Sequence, residues 1–382
     1  MKEISHKVSS FKDSIFATIS REAVNNQAVN LGQGFPDFPG PQWIIDILKS
    51  AYQYEENASQ QYAPFAGVLA MRESVSRQYL KKYSITYNSE TEITIMNGAT
   101  EGIFCTCLAL LNPLDEVIVL EPFYDSYKSS IELAGAKAIA STINLPDLSI
   151  DFDHLEKIVS SKTKMLILNN PHNPTGKVFT LEEITQISIF AQKHDLYILS
   201  DEVYEFLTFD ERAHLPIATL KEVRDRVITI SSVGKTFGMT GMKIGWVCAN
   251  EKISHAVRLV HQFNTFSVHH PSQVAFAKVI DQSDYYLQQF KVTYQQKRDL
   301  FYSGLQKAGF SPLQSEGTYF MMCPIPNELD DVSYCMELIK SKKVATIPPS
   351  SFYLNSDQGK KYIRFCFAKK DETLSQALRN LS

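Results

Sequence analysis

Short, nearly continuous apolar runs alternate with amphipathic segments through the middle of the chain. Seven such runs occur, at 92–96, 116–120, 137–141, 164–168, 196–200, 227–231 and 244–249. Most lack the period-2 alternation of a half-exposed strand, so they predict a mainly parallel sheet buried on both faces. Between the runs, 100–111 places apolar residues on one helical face, and Thr180 with Glu183 forms a capping-box signal before another amphipathic segment. This alternation predicts an α/β fold in which helices cover both faces of a seven-stranded sheet.

The pattern changes near residue 280. A long polar-rich helical stretch, 284–309, is followed there by short strands and helices. A chain of 382 residues also exceeds what one hydrophobic core comfortably organises. We therefore predict a large domain at 46–280 and a smaller α+β domain at 281–382, with an N-terminal arm at 1–45 that joins the smaller domain in part.

Charge and composition argue against several classes of protein. The net charge is −4, and the lysine doublets are separated rather than clustered, unlike a nucleic-acid-binding surface. No apolar stretch approaches the roughly 20 residues that cross a bilayer, and 1–16 lacks the apolar core of a signal peptide. The six cysteines form no Cys-x-x-Cys pair, a pattern typical of reduced thiols in the cytoplasm. We expect a cytoplasmic protein without nucleic-acid or membrane partners.

Polar loops follow several of the predicted strands, at the edge where open α/β sheets bind ligands. After the first strand, Ala99 and Thr100 begin a helix whose N–H groups could receive a phosphate, although an ordinary helix cap has the same sequence. After the second strand, the aromatics of 123–127 suit either core packing or stacking on a planar ring. Neither loop is decisive alone.

Two further loops carry amides and a carboxylate. Asn169 and Asn173 stand in a proline-flanked turn, where their amides suit either turn formation or hydrogen bonding to a ligand hydroxyl. Asp201 ends an apolar strand, so its burial costs free energy unless a cation pairs with it. Asp201 is therefore the strongest candidate among the carboxylates.

A lysine follows the sixth strand in a glycine-rich, apolar turn. Burial there can deprotonate Lys235 and make it an amine nucleophile, although a solvated loop lysine is the simpler interpretation of this residue alone. Thr236-x-x-x-Thr240 with Lys243 is similar to a phosphate-binding loop, but the Gly-x-x-x-x-Gly-Lys-Ser/Thr pattern is absent.

Taken together, the motifs resemble those of the fold-type I pyridoxal-phosphate (PLP) aminotransferases. Asn-Pro-x-Asn-Pro-Thr-Gly precedes Asp-Glu-x-Tyr, then Ser-x-x-Lys with a basic residue eight positions on, then an arginine 121 residues later. The members of this series are Asn173, Asp201, Tyr204, Ser232, Lys235, Lys243 and Arg364. Segments 31–38 and 316–320 also look like this family, and 261–268 is similar to its methionine and kynurenine branch. The resemblance covers nearly the whole chain.

The resemblance implies how the cofactor is held. Lys235 would carry PLP covalently and move the substrate proton, and Asp201 would pair with the pyridine nitrogen. Asn173 and Tyr204 would donate to the ring 3-oxygen, and Tyr124, or alternatively Phe123, would stack on the ring. The phosphate would be bound by Ala99, Thr100, Ser232 and Lys243. Many relatives have arginine at this position. Lys243 keeps the positive charge but lacks the planar guanidinium that binds a phosphate through two parallel hydrogen bonds.

The resemblance also implies how the substrate is bound and how subunits assemble. Arg364 would clamp the substrate α-carboxylate, assisted by Asn169 and the main chain at Gly34. Tyr62 would reach the phosphate of a neighbouring subunit, so we expect a homodimer with shared active sites. Donors with large apolar or aromatic side chains should be preferred over aspartate. The aromatic residues expected to surround the donor side chain are Phe35, Tyr62, Tyr124, Phe266 and Tyr319. The alternative is that a second arginine, such as Arg21 or Arg258, enters the site and binds the side-chain carboxylate of aspartate.

Other functions remain as alternatives. A PLP-dependent C–S β-lyase would use the same residues. A PLP-sensing regulator needs a DNA-binding segment, and only about 30 residues precede Leu31. A dinucleotide dehydrogenase is disfavoured because the glycine pair of 32–34 lacks a third glycine. His269-His270 has no further metal ligand at a sensible spacing, so we expect no metal site.

Overall fold

The computed structural model describes residues 2–9, 11, 13–53 and 60–382, which leaves part of the signal-peptide and domain predictions (Met1, Ser10, Lys12 and 54–59) outside the described residues. Its strands are β1 Val29–Asn30, β2 Ile93–Met96, β3 Glu116–Glu121, β4 Lys137–Thr142, β5 Thr163–Asn169, β6 Tyr197–Asp201, β7 Val227–Ser232, β8 Gly245–Cys248, β9 Phe320–Pro324, β10 Val344–Ala345 and β11 Tyr362–Cys366. Its helices are α1 Ile15–Asn25, α2 Gln42–Tyr52, α3 Leu69–Tyr83, α4 Ala99–Leu110, α5 Ser126–Leu133, α6 Phe152–Ile158, α7 Leu181–Lys193, α8 Val233–Thr236, α9 Glu251–Asn264, α10 His270–Asp281, α11 Asp284–Lys307, α12 Asp331–Glu337 and α13 Asp371–Leu381.

Seven strands form the central sheet in the order β2-β8-β7-β6-β5-β3-β4. The pairs from β7 to β4 are parallel, whereas β8 runs antiparallel to both β2 and β7. The predicted seven-stranded, mostly parallel sheet is therefore confirmed. Polar residues end three adjacent strands, Asn169 on β5, Asp201 on β6 and Ser232 on β7, and Asn169 is in register with Asp201.

Alternate residues of the strands feed two cores. Ile118, Leu166 and Ile198 belong to the core under α3 and α10, and Val117 and Ile167 to the core under α4, α5 and α9. Because helices cover both faces, the inner strands β3, β5, β6 and β7 are buried along nearly their whole length, which explains the missing alternation in the sequence. The capping box at the start of α7 is formed as predicted, with both the Thr180 and the Glu183 hydrogen bonds present.

A third core joins the two ends of the chain. It gathers residues of α1 with residues of α11, α13, β9 and β11. Strand β1 pairs in parallel with β10, and β9 pairs antiparallel with β11. The 24-residue helix α11 corresponds to the predicted stretch at 284–309. The domain boundaries themselves remain a prediction.

Neither a membrane span nor a metal cluster is found within the described ranges. None of the helices there combines the length and apolarity needed to cross a bilayer. No group of three or more His, Cys, Asp or Glu side chains there could hold a metal ion. His269 bonds to Ser272 and Tyr52 and His270 to the carbonyl of Gln61, so the pair has structural partners.

Candidate active site

A cavity of about 280 Å³ opens at the carboxyl ends of β5, β6 and β7. The structure brings twelve of the nominated site residues to its wall, which are Gly34, Ala99, Thr100, Tyr124, Asn169, Asn173, Asp201, Tyr204, Ser232, Lys235, Lys243 and Arg364. These residues are spread along the chain from Gly34 to Arg364, and parallel strand ends bring most of them together.

Lys235 lies on the single turn α8, directly after β7. Its Nζ donates to the carbonyl of Gly34 at 3.0 Å and lies 5.9 Å from the ring of Tyr204. Burial is the main cause that lowers the pKa of Lys235, to about 8; Arg364 and Lys243 act in the same direction, and Cys366 and Asp201 oppose them. An appreciable fraction of this amine is therefore neutral near physiological pH, as a nucleophile requires.

Asp201 is a buried carboxylate whose two hydrogen-bond donors are neutral. The Tyr127 hydroxyl donates at 2.6 Å and the main-chain N–H of Val203 at 3.3 Å. Burial raises the pKa of Asp201 to about 6, and the Tyr127 hydrogen bond only partly offsets this rise. A cation placed beside the carboxylate in the cavity would restore its ionised form.

Asn169 holds two loops of the site together. Its Oδ1 accepts from the main-chain N–H of Asn173 at 2.7 Å, and its Nδ2 donates to the carbonyl of Asp201 at 2.9 Å. The side-chain Oδ1 of Asn173 accepts from Arg364 Nη1 at 3.0 Å. The Asn173 side chain thus links the arginine to the strand end that carries Asp201.

Arg364 is buried on β11 among aromatic rings. Its guanidinium lies 4.0 Å from the centre of the Phe320 ring and 5.3 Å from that of Phe16. Nη2 donates to the carbonyl of Gly32 at 2.8 Å, while the buried Nε has no hydrogen-bond acceptor within the described part of the chain. Because Arg364 lines the cavity, its guanidinium can pair with a carboxylate that enters there.

The opposite end of the cavity suits an anion. Gly98 precedes α4 with a φ of +79°, and a Cβ built on it would stand 3.3 Å from Lys243 Nζ. Gly245 of β8 packs so closely that a Cβ there would lie 2.8 Å from the N atom of Ala99. The N-terminal N–H groups of a 12-residue helix, an ammonium and the hydroxyl of Ser232 thus face one end of the cavity.

Three nominated aromatics lie elsewhere than predicted. Tyr62 is 82% exposed and packs edge-on against Phe266, so neither ring lines the cavity of its own chain. Tyr319 is buried behind the wall, where its hydroxyl donates to the carbonyl of Gly34 at 2.6 Å. The prediction that Tyr319 forms the pocket wall is therefore wrong for the cavity of this chain, and a contribution of Tyr62 and Phe266 to a pocket shared between subunits stays a prediction. The reach of Tyr62 into a neighbouring subunit stays a prediction.

Four further residues belong to the wall although no sequence motif indicated them. Phe16, Gln33, Tyr127 and Phe320 all line the cavity. Phe320 rather than Tyr319 faces inward because neighbouring residues at the start of a strand point to opposite sides, so an error of one residue reverses the assignment. Tyr127 stood within a noticed aromatic cluster, but no local signal marked its hydroxyl as the partner of Asp201.

These features together define a site for a planar, phosphorylated pyridine ring. The N-terminus of α4 and Lys243 fit the phosphate group. Asp201, a buried carboxylate whose hydrogen-bond donors are neutral, fits a protonated ring nitrogen. Lys235 supplies an amine of lowered pKa in the same cavity. Fold and site are those of a PLP-dependent enzyme of fold type I.

Comparison with known proteins places the chain within that class. The model of the family "Aminotransferase class I and II" matches residues 26–381. The chain is 36% identical to the methionine aminotransferase of Escherichia coli, over 96% of this chain and 95% of that protein. It is 35% identical to the kynurenine–oxoglutarate transaminase of Dictyostelium discoideum, over 99% and 95%. The structure of N-succinyldiaminopimelate aminotransferase from Mycobacterium tuberculosis superposes with a TM-score of 0.95, at 35% identity over 99% of each chain.

The chain belongs to the class I and II aminotransferase family. It is an aminotransferase, and pyridoxal 5′-phosphate is its cofactor.

Proposed function

We propose that this aminotransferase moves the amino group of a large apolar or aromatic amino acid, of the methionine, phenylalanine or kynurenine type, to a 2-oxo acid. The observation that carries the proposal is the composition of the cavity wall. Its apolar side is formed by Phe16, Phe35, Tyr124 and Phe320. Aromatic rings stack on flat side chains and make favourable contacts with a thioether sulfur.

The basic residues of the cavity wall also favour an apolar or aromatic donor over a dicarboxylic one. Among the described lining residues the basic ones are Lys235, Lys243 and Arg364, and the first two face the cofactor. The two arginines considered as a second carboxylate clamp lie elsewhere. Arg258 donates to Thr94 and to the carbonyls of Glu90 and Ile93, and Arg21 is an exposed residue outside the wall. Within the described residues of this chain, a side-chain carboxylate on the donor would have no further cationic partner.

The residues divide the chemistry between them. Pyridoxal phosphate, when bound, supplies the electron sink. Lys235 would attach the cofactor, and its amine would move the proton at the substrate Cα. Asp201 would pair with the ring nitrogen and favour its protonated form, and Asn173 and Tyr204 would donate to the ring 3-oxygen. Arg364 orients the substrate through its α-carboxylate.

Assembly and compartment belong to the same proposal. Tyr62 and Phe266 form an exposed aromatic pair, and Phe263 close by in the sequence is 84% exposed. Such exposed apolar surface suits burial against a second copy of the chain, as a homodimer with shared active sites requires. The composition supports a cytoplasmic enzyme.

A donor panel tests the substrate class. We expect kcat/KM for methionine, phenylalanine and kynurenine to exceed that for aspartate by at least about tenfold, which corresponds to about 1.4 kcal/mol of transition-state binding. N-succinyldiaminopimelate belongs in the panel because a relative is named for it. A preference for aspartate or for the succinylated donor would overturn the proposal. Turnover of a cysteine conjugate to pyruvate without any 2-oxo acid would instead identify the β-lyase.

A further inference from the structure

Four consecutive main-chain carbonyls, those of segment 32–35, accept hydrogen bonds from basic side chains. This segment follows β1 and forms part of the cavity wall through Gln33, Gly34 and Phe35. The hydrogen bonds run from Arg364 Nη2 to Gly32 at 2.8 Å, from Lys369 Nζ to Gln33 at 3.2 Å, from Lys235 Nζ to Gly34 at 3.0 Å, and from Lys369 Nζ to Phe35 at 2.7 Å.

Lys369 is the member of this set that does not reach the cavity. It lies just before α13, and only 3% of its surface is exposed. Its ammonium contacts the two carbonyls and lies 5.2 Å from the centre of the Phe35 ring, so its partners within the described residues are neutral. Burying a charge without a carboxylate costs free energy, and an apolar side chain would fill the same space at a lower cost. The charge is therefore better explained by what it holds than by packing.

The segment is fixed along both of its edges. On the N–H side, Asn30 Oδ1 accepts from the main-chain N–H groups of Gly32 at 2.9 Å and Gln33 at 3.2 Å. On the carbonyl side, Lys369 holds the residues before and after Gly34. Gly34 itself is confined, because a Cβ there would lie 2.8 Å from the Phe320 ring. The Gly34 carbonyl, which also accepts from the Tyr319 hydroxyl at 2.6 Å, thus lies between two carbonyls that Lys369 holds.

We propose that Lys369 is a positioning residue for the reaction. By holding the carbonyls of Gln33 and Phe35, it keeps the Gly34 carbonyl on the Lys235 amine and the Gly32 carbonyl on Arg364. The inference rests on the proposed function, because Arg364 acts there as the clamp for the substrate carboxylate. Loss of the Lys369 ammonium frees the segment and with it the orientation of that guanidinium, which weakens carboxylate binding.

The test compares Lys369→Met with Lys370→Met in the holoenzyme. Methionine keeps the length of the side chain without its charge, and Lys370 is the next residue, which is exposed. Binding of 3-phenylpropionate, which has a carboxylate and no amine, is followed through the visible absorption of the cofactor. We expect Lys369→Met to raise Kd for this probe, and KM for the amino donor, by about tenfold, equivalent to about 1.4 kcal/mol. Lys370→Met should match the wild type.

Two further measurements separate positioning from folding. The apoprotein affinity for PLP and the Tm should stay close to wild type in Lys369→Met, since the ammonium touches neither the phosphate end nor Asp201. Lys369→Arg, which keeps the charge, should recover at least half of the lost affinity. If Lys369→Met does not fold, Lys369→Gln, a neutral donor, replaces it in the same comparison.

The outcomes distinguish this inference from the donor proposal. Carboxylate binding within twofold of wild type in Lys369→Met, or a parallel loss of PLP affinity, would refute the positioning role. If the wild-type enzyme binds maleate but not 3-phenylpropionate, the proposal that the donor pocket is apolar is refuted. In that case the variants are compared with maleate, because it also presents a carboxylate to Arg364.

Discussion

Replacing Asp201 by Asn should make the apoprotein more stable while it disables the enzyme. Burial raises the pKa of this carboxyl from the ordinary 3.8 to about 6. Asparagine has nearly the same shape, and the Tyr127 hydroxyl can accept from an amide as well as donate to a carboxylate. The substitution therefore removes a buried charge without leaving a cavity.

The pH dependence gives the magnitude. Below pH 3.8 the carboxyl is protonated in both the folded and the unfolded state, so the folded protein does not bear the cost of a buried negative charge and its stability is at its highest. Between pH 3.8 and about 6 the folded state binds more protons, so stability falls as pH rises. Above pH 6 the free energy of unfolding is therefore about 3 kcal/mol lower than it is below pH 3.8. Asp201→Asn should recover up to about that amount at pH 8 and almost none at pH 4.

Urea unfolding of both apoproteins at several pH values measures this difference. Adding PLP should reverse the order, because the wild-type carboxylate then gains a cationic partner and the amide does not. The same variant should lose several orders of magnitude in kcat. A stability difference that does not change between pH 4 and pH 8 would show that Asp201 is not a strained buried acid, and activity within tenfold of wild type would make it merely structural.

Three other substitutions test the remaining parts of the site. Lys235→Ala should abolish multiple turnover while PLP still binds without a covalent link, as measured by equilibrium dialysis and absorption spectra; near wild-type turnover would disprove the assignment. Tyr127→Phe should raise the pKa of Asp201 further, so that the pH-dependent loss of apoprotein stability extends to higher pH, and an unshifted profile would contradict the 2.6 Å hydrogen bond. Arg364→Lys should raise KM for every amino donor by about 10- to 100-fold with a smaller change in kcat, because lysine cannot form the bidentate pair; equal loss in kcat and no change in KM would argue against a carboxylate clamp.

Local pattern was sufficient for the sheet and for the residues at its strand ends. Parallel strands buried on both faces are rich in apolar residues, and the polar residues Asn169, Asp201 and Ser232 stand at the carboxyl ends of three of them. The turn that carries Lys235 follows directly from one of those ends. Most of the twelve nominated residues that line the cavity lie there for this reason, although their chemical roles remain proposals.

Contacts between distant segments could not be found in the same way. Tyr319 and Phe320 are adjacent aromatics, and only the pairing of β9 with β11 decides which of them faces the cavity. Phe16 reaches the wall because α1 packs with the C-terminal part of the chain in one core.

Lys369 is the clearest example of a residue whose contacts could not be predicted from the sequence. Its acceptors are main-chain carbonyls 336 and 334 positions earlier in the chain, and a carbonyl has no residue identity that a sequence motif can record. Hydropathy and turn chemistry act over a few residues and are written in the sequence. The direction in which a carbonyl points, and the cation that meets it, is set only when the two ends of the chain pack together.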